Sequence, residues 1–505
     1  MSSNAQKLVN GSVLRIADFF LNAFTALMLM PFVIHSLGDN IYGLWILIGS
    51  FLGYYGLMDF GLSSAVQRFV SRAIGESSQD KVSRIINTAF FLYLIIGLIT
   101  LIVSIGTAFI LPVFIKNITE VSLFRKIILI LGLSFSIGFP ARVFSGILTA
   151  DLRFDLNTIV DLSKVIMRTA LVIIFLKYGA GVIALAIITL VTDIGKYAAT
   201  YCLVRHNYKK LVLSVRLVDK TMLKPLFGYS VYTFVAQLAD ILRFNVDHLV
   251  ITIFMNLNSV TLYSIASRLI KYFMDFISSA LGMLTPLFSQ YEAKNDYNSI
   301  KEKFLFATRI SSFASILIGA IMILFGNLFI EKWLGHKYLG AYPILVVLVI
   351  PVTIALMQSP TVQLLFGISK HRFFTISNSL EGITNLILSL ILVRKYGLMG
   401  VALGTAIPLL IIKLFIQPVY TCKIIKLNIS KYYFYALLQP LIISLTIFSI
   451  LWFFIKNLVQ TDYFSIAAFI FAISFLFCAS IFFLGFRASE RKYIQRLFLD
   501  IKRIR

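Results

Sequence analysis

Two runs of charge stand where charge is costly. Asp240, Arg243 and Asp247 recur at i, i+3 and i+7 inside the apolar stretch 227–255, with His248 beside them. Arg268, Lys271 and Asp275 repeat that spacing inside the apolar stretch 260–289. Each stretch exceeds the about 20 apolar residues that cross a bilayer as a helix. The spacing places each trio on one helical face. A charge held against lipid at the bilayer centre costs at least about 2.5–3.5 kcal/mol, so these faces must meet other helices or a wet cavity. Arg there offers planar paired donors suited to phosphate or carboxylate, and Lys offers a point charge. Asp240, Asp247 and His248 are the groups able to carry a proton or a sodium ion and so couple transport to a gradient. The plainer alternative is a set of interhelical salt bridges that fix packing.

Further charges lie within apolar stretches. Arg15 and Asp18 share a face near one end of the first. Asp59 and Arg142 lie in the second and fourth. Asp161, Lys164 and Arg168 follow i, i+3, i+7 in the fifth, and Asp193 and Lys196 sit in the sixth. Glu381, Lys413 and Arg309 add to the second half of the chain. Cations outnumber acids within these stretches, which leaves Arg or Lys to meet something anionic. The expected substrate cavity is lined by Arg15, Asp18, Asp59, Arg142, Lys164, Arg168, Lys196, Arg243, Arg268, Lys271, Asp275 and Lys413. Its cargo should be polar and anionic. No P-loop, catalytic triad or metal-ligand spacing is present, so no catalytic residue, metal or cofactor is expected beyond a proton or sodium gradient. An acidic, aromatic lumen would favour a small-molecule cation antiporter instead. A membrane-embedded glycosyltransferase would need a large outer loop, and the outer segments are short.

The elements that carry these charges are transmembrane helices. The chain has 505 residues, 59% hydrophobic and 13% charged. Soluble domains carry about 25% charged residues. The formal charge of +24 reads as Lys and Arg gathered in cytoplasmic loops, not as a nucleic-acid surface. Cys202, Cys422 and Cys478 have no metal or redox spacing, so neither disulfides nor thiol chemistry is expected. The first apolar segment is longer than a signal's core and lacks a small-x-small site, so no cleavable leader is expected. Fourteen spans are expected: 11–34, 41–66, 85–115, 127–150, 158–177, 181–203, 227–255, 260–289, 304–330, 341–366, 373–393, 398–420, 433–455 and 463–484. Pro112 and Pro408 threaten the third and twelfth. With the N-terminus inside, 27 Lys and Arg fall in inner segments against 9 in outer ones, which predicts cytoplasmic termini.

The first six spans and the next six read as copies. Lys177-Tyr-Gly179 is matched by Lys395-Tyr-Gly397, Pro140…Gly146…Arg153 by Pro360…Gly367…Arg372, Met58-Asp-Phe60 by Met274-Asp-Phe276, Gly11 by Gly228, and Lys196 by Lys413. The offsets stay between 215 and 221. An even number of spans per copy gives parallel repeats about an axis along the membrane normal, an arrangement that supports alternating access. The predicted architecture is all-α and polytopic: a six-helix lobe over 1–204, a basic linker over 205–225, a second lobe over 226–421, two additional helices over 422–485, and a basic amphipathic tail over 486–505. Linker and tail suit an anionic lipid surface.

Leu37-Gly38…Tyr42-Gly43-Leu44-Trp45, then Asp59-Phe60-Gly61-Leu62…Ala65…Arg68, with Gly11-Ser12-Val13 ahead, resembles the N-terminal region of bacterial polysaccharide flippases. These form the O-antigen flippase-like family of the multidrug/oligosaccharidyl-lipid/polysaccharide exporter superfamily. The resemblance implies two six-helix lobes and movement of an undecaprenyl-diphosphate-linked oligosaccharide to the outer leaflet of the bacterial plasma membrane. It implies a cavity lined by spans one, two, seven and eight, membrane lipids and polysaccharide polymerase machinery as partners, and, by extension of the lipid II flippase branch, a lipid-tail role for spans thirteen and fourteen.

Overall fold

The computed structural model describes residues 3–76, 78–110, 117–151, 153–208, 213–223, 226, 234, 246–281, 284–368, 370, 372–455, 463–486 and 490–491. Among them the regular structure is helical throughout. The chain is a multi-pass membrane protein, and it divides into two compact units, Met1–Thr261 and Leu262–Arg505.

In the first unit, α1 (Ser3–Leu37), α2 (Asp39–Gly56), α3 (Leu62–Gly75), α4 (Gln79–Ile110), α5 (Ile118–Ala150), α6 (Phe154–Lys177) and α7 (Val182–Asn207) are followed by α8 (Val246–Phe254). The expected second span is therefore two helices. It breaks at Asp59-Phe60-Gly61, where Phe60 takes φ 49°. Small residues let α4 and α5 approach closely: Gly97 lies under the carbonyl of Ser136, and Ser104 lies against Gly132. In lipid, where apolar burial supplies little drive between helices, such contacts hold a bundle together. α6 fails as an apolar window because Asp155, Asp161, Lys164, Arg168 and Lys177 crowd it. Part of the basic linker is docked. Ser214 N–H donates to Asn87 Oδ1 at 2.6 Å and Asp219 N–H to Thr88 Oγ1 at 2.9 Å, both on α4.

The second unit continues α9 (Leu257–Leu281), then α10 (Leu284–Ala293), α11 (Tyr297–Leu334), α12 (Ala341–Met357), α13 (Ser359–Gly367), α14 (Arg372–Ile411) and α15 (Gln417–Ile424). The tenth expected span is also broken, at Gln358, whose amide donates to the backbone carbonyl of Lys413 at 2.6 Å. α14 holds two crossings in one hydrogen-bonded run, bent at Gly397 with φ 56°. Gly179, at the matching turn of the first repeat, takes φ 77°. Both turns need a left-handed residue, which glycine supplies without a Cβ clash. Pro408 does not end its helix. The helix runs on past it to Ile411, and a π-helical turn over Ile412–Ile416 follows, directly ahead of Pro418, whose missing amide leaves the Leu414 carbonyl without its i+4 donor. Gln439–Ile455 and Tyr463–Ser480 form the two additional helices. Pro112, much of the expected seventh span and the tail beyond 491 lie outside the described residues. Among the described residues, ten helical stretches meet the length and hydropathy of a span. Arg372–Ile424, one of them, is long enough for two crossings.

Candidate functional site

The i, i+3 repeats of the fifth and sixth spans become a reciprocal ladder in the first unit. α6 and α7 are antiparallel neighbours joined by the turn at Gly179. Asp161 and Lys164 on α6 therefore meet Lys196 and Asp193 on α7 in crossed order. Lys196 Nζ lies 2.5 Å from Asp161 Oδ1. Lys164 pairs with the Asp193 carboxylate, which also accepts from Ser134 Oγ at 2.8 Å. Asp18 of α1, held by Asn22 at 2.9 Å, lies within electrostatic reach of Asp161 and Lys196. Arg168 follows Lys164 by one turn. The Lys196 and Asp161 side chains are 28% and 39% exposed. Half-exposed charges this far along membrane helices require water or a polar ligand beside them.

Asp59 stands at the break between α2 and α3 and is buried. Its carboxylate accepts from Ser63 N–H at 3.2 Å, Ser63 Oγ at 2.7 Å, Tyr93 OH at 2.8 Å and Arg142 Nη1 at 3.0 Å. It caps the new helix and orients Arg142, whose guanidinium carbon lies 4.5 Å from the Phe139 ring centre. One third of the Arg142 side chain stays exposed. Stacked and held at one nitrogen, it is prearranged for an oxyanion. On α8, Asp247 is buried and His248 Nδ1 lies 3.1 Å from Ser50 Oγ of α2.

In the second unit Lys413 is enclosed. Its ammonium meets Asn378 Oδ1 at 3.1 Å, Gln417 Oε1 at 3.0 Å and Glu381 at 3.8 Å, over the Phe374 ring. Gln417 also donates to Ser377 and Asn378. Lys271 and Asp275 pair at 3.4 Å on an exposed face of α9, and Arg268 lies on the same helix. Asp240 and Arg243 lie outside the described residues, as does the side chain of Arg15.

Arg309, counted by sequence among the cations within spans, is enclosed near the end of the chain. It is 1% exposed and meets Glu490 at 3.3 Å, the carbonyl of Gly485 and the face of Tyr435 at 4.3 Å. Tyr435 OH donates to the same carboxylate at 2.8 Å. This clamp ties α11 to the chain that follows the last helix. Asp161, Asp193, Glu381, Asn378, Gln417, Tyr93 and Glu490 are network members missing from the expected cavity. The i, i+3 match of Asp161/Lys164 with Asp193/Lys196 was the available signal for the first two.

The sequence model described as polysaccharide biosynthesis protein matches residues 41–343. A putative O-antigen transporter of Shigella flexneri is 23% identical over 423 residues, 82% of this chain and 98% of that protein. Among solved structures, the lipid II flippase MurJ in an inward closed conformation superposes with TM-score 0.72 at 17% identity. That match covers 94% of this chain and 98% of the other. An inward-facing multidrug resistance MATE family transporter of the MOP superfamily gives 0.71 at 15% identity over 82% and 98%.

Proposed function

The chain belongs to the polysaccharide biosynthesis protein family, and on that premise we propose that it is a flippase. Its cargo is an undecaprenyl-diphosphate-linked oligosaccharide, a surface-polysaccharide repeat unit, carried from the cytoplasmic to the outer leaflet by alternating access. The observation that carries this reading is the set of half-exposed charges in the first unit. An apolar cargo would have no use for Arg142 and the α6–α7 ladder held open inside membrane helices. Arg142 and Lys164 are suited to the diphosphate or an acidic sugar, while the lipid tail stays in the bilayer. The likeness to a multidrug transporter supports the antiporter alternative by fold alone. The likeness to the lipid II flippase extends over more of the chain, by an amount comparable to the two additional helices. Asp247 and His248 are the described groups placed to couple the cycle to an ion gradient. The surplus of Lys and Arg in one set of loops supports a reading with both termini in the cytoplasm; the bacterial plasma membrane and the polymerase machinery as neighbour belong to the same proposal, on the strength of the family.

Deleting the gene in its host and analysing lipid-linked precursors tests the reading. Loss of one surface glycan, with its diphosphate-linked unit retained on the cytoplasmic face, is the expected result. An unchanged glycan with new sensitivity to toxic cations would replace the flippase by the antiporter.

A further inference from the structure

Asp59 has more donors than its charge requires. Its Oδ1 accepts from Ser63 Oγ at 2.7 Å, Tyr93 OH at 2.8 Å and Arg142 Nη1 at 3.0 Å, while Oδ2 accepts from Ser63 N–H at 3.2 Å. A carboxylate oxygen offers two lone pairs. The two hydroxyls make the shorter contacts and fill them, so Arg142 is the third donor on one atom. Its hold is also single. Among the described residues, the guanidinium N–H groups meet Asp59 through Nη1 alone. An Arg–carboxylate pair at full strength uses two parallel bonds, and here the fork is left unused. The Phe139 ring keeps the guanidinium in place from 4.5 Å, and that ring is itself buried and stacked on Tyr93. The Arg142 side chain is 33% exposed and that of Asp59 4%, so a ligand reaches the arginine from a side the aspartate does not cover.

We propose that Asp59 is a placeholder on Arg142. It occupies the guanidinium between cycles, yields it to a diphosphate, and so makes this position choose a diphosphate over a sugar carboxylate. When Arg142 turns to a ligand, Asp59 keeps its bonds from Ser63 and Tyr93. It is therefore not left as the bare buried charge that makes a broken buried pair costly. A free monocarboxylate brings the same charge and geometry as Asp59 but is not tethered. A tethered competitor acts at an effective concentration on the order of millimolar or more. A diphosphate brings two or more charges and engages the whole fork, so it gains by the exchange. The inference rests on the flippase reading for the source of the ligand, and of the diphosphate and the acidic sugar named there it assigns the first to Arg142.

The test is calorimetric titration of the full chain in lipid nanodiscs with inorganic pyrophosphate or with glucuronate. The natural chain should bind pyrophosphate at least about tenfold more tightly than glucuronate, and Arg142→Gln should lose that difference. Asp59→Asn keeps a helix-capping side chain and removes the competing charge. Both anions should then bind more tightly, glucuronate by about tenfold or more. An aspartate that only positioned Arg142 would give the opposite sign, with both anions weakened. Tyr93→Phe strips one hydroxyl from Oδ1, leaves Asp59 more dependent on Arg142, and should weaken pyrophosphate binding several-fold. That variant decides the sign should Asp59→Asn not accumulate. Weaker or unchanged binding in Asp59→Asn, tighter or unchanged binding in Tyr93→Phe, or a natural chain that takes glucuronate as well as pyrophosphate, overturns the placeholder. None of these readouts involves export, so they fail separately from the flippase reading.

Discussion

The fifth and sixth helices of each repeat carry the same pair and use it oppositely. Lys196 with Asp161 and Lys413 with Glu381 stand at offsets of 217 and 220. The first pair belongs to a four-charge ladder and is about one third exposed. The second is 8% and 2% exposed and wrapped by Asn378, Gln417 and Phe374. One inherited bridge has therefore become a wet, charged face in the first unit and a dry pin in the second. The cargo chemistry is assigned to the first unit, and the fixing of helices that frame the π-helical turn to the second.

Breaking the two pairs should separate these roles. Lys413→Met removes the ammonium beside a buried carboxylate, a change that costs about 3–5 kcal/mol. The variant should be depleted from membranes and melt early in detergent. Lys196→Ala at the matching position should leave membrane level and melting nearly unchanged, because solvent screens exposed pairs to about 1 kcal/mol or less. Equal losses from both would erase the distinction. Glu490→Ala should also destabilise, by up to about 3 kcal/mol, since Arg309 is left buried in the clamp; melting curves measure it.

The ladder itself can be rewired. Lys164→Asp should impair export, and Asp193→Lys in the same chain should restore part of it. A coupling of about 0.5–3 kcal/mol in the double-mutant cycle is expected for groups in contact. No recovery would mean the pair is not formed in the working protein.

The smallest effect concerns the helix caps outside the spans. The hydroxyl and amide of Thr221 hold the Asp219 carboxyl below its ordinary 3.8, and Ser299 does the same for Asp296. A depressed pKa contributes stability above the ordinary value and loses it as pH falls through the folded one. Protection of the amides at 213–223 and 296–300, measured against the exchange rate of an unstructured chain at the same pH, should be steady near neutral pH and fall only below about pH 4.

Much of this was legible in the chain. The i, i+3 spacing in successive antiparallel spans already contains the crossed ladder, and Lys395-Tyr-Gly397 marks the turn that aligns Lys413 with Lys196. Other features were not legible. The fate of Arg309 depends on Glu490, 181 residues away, and no local pattern joins them. The break at Asp59-Phe60-Gly61 hid within a run apolar enough to be one span, because hydropathy is blind to a left-handed residue. Gly43 stood out in the motif, but its reason is a carbonyl at Leu257 that only the fold brings near.

If the exposed ladder of the first unit serves an anionic lipid-linked cargo, the leaflet position of that precursor will report it in a deletion host complemented with Lys164→Ala/Lys196→Ala. Reagents confined to the outer face would modify the exposed glycan. With the variant at wild-type membrane level, the precursor should stay inside and outer modification should fall to the level of the deletion. Outer modification equal to wild type would contradict it.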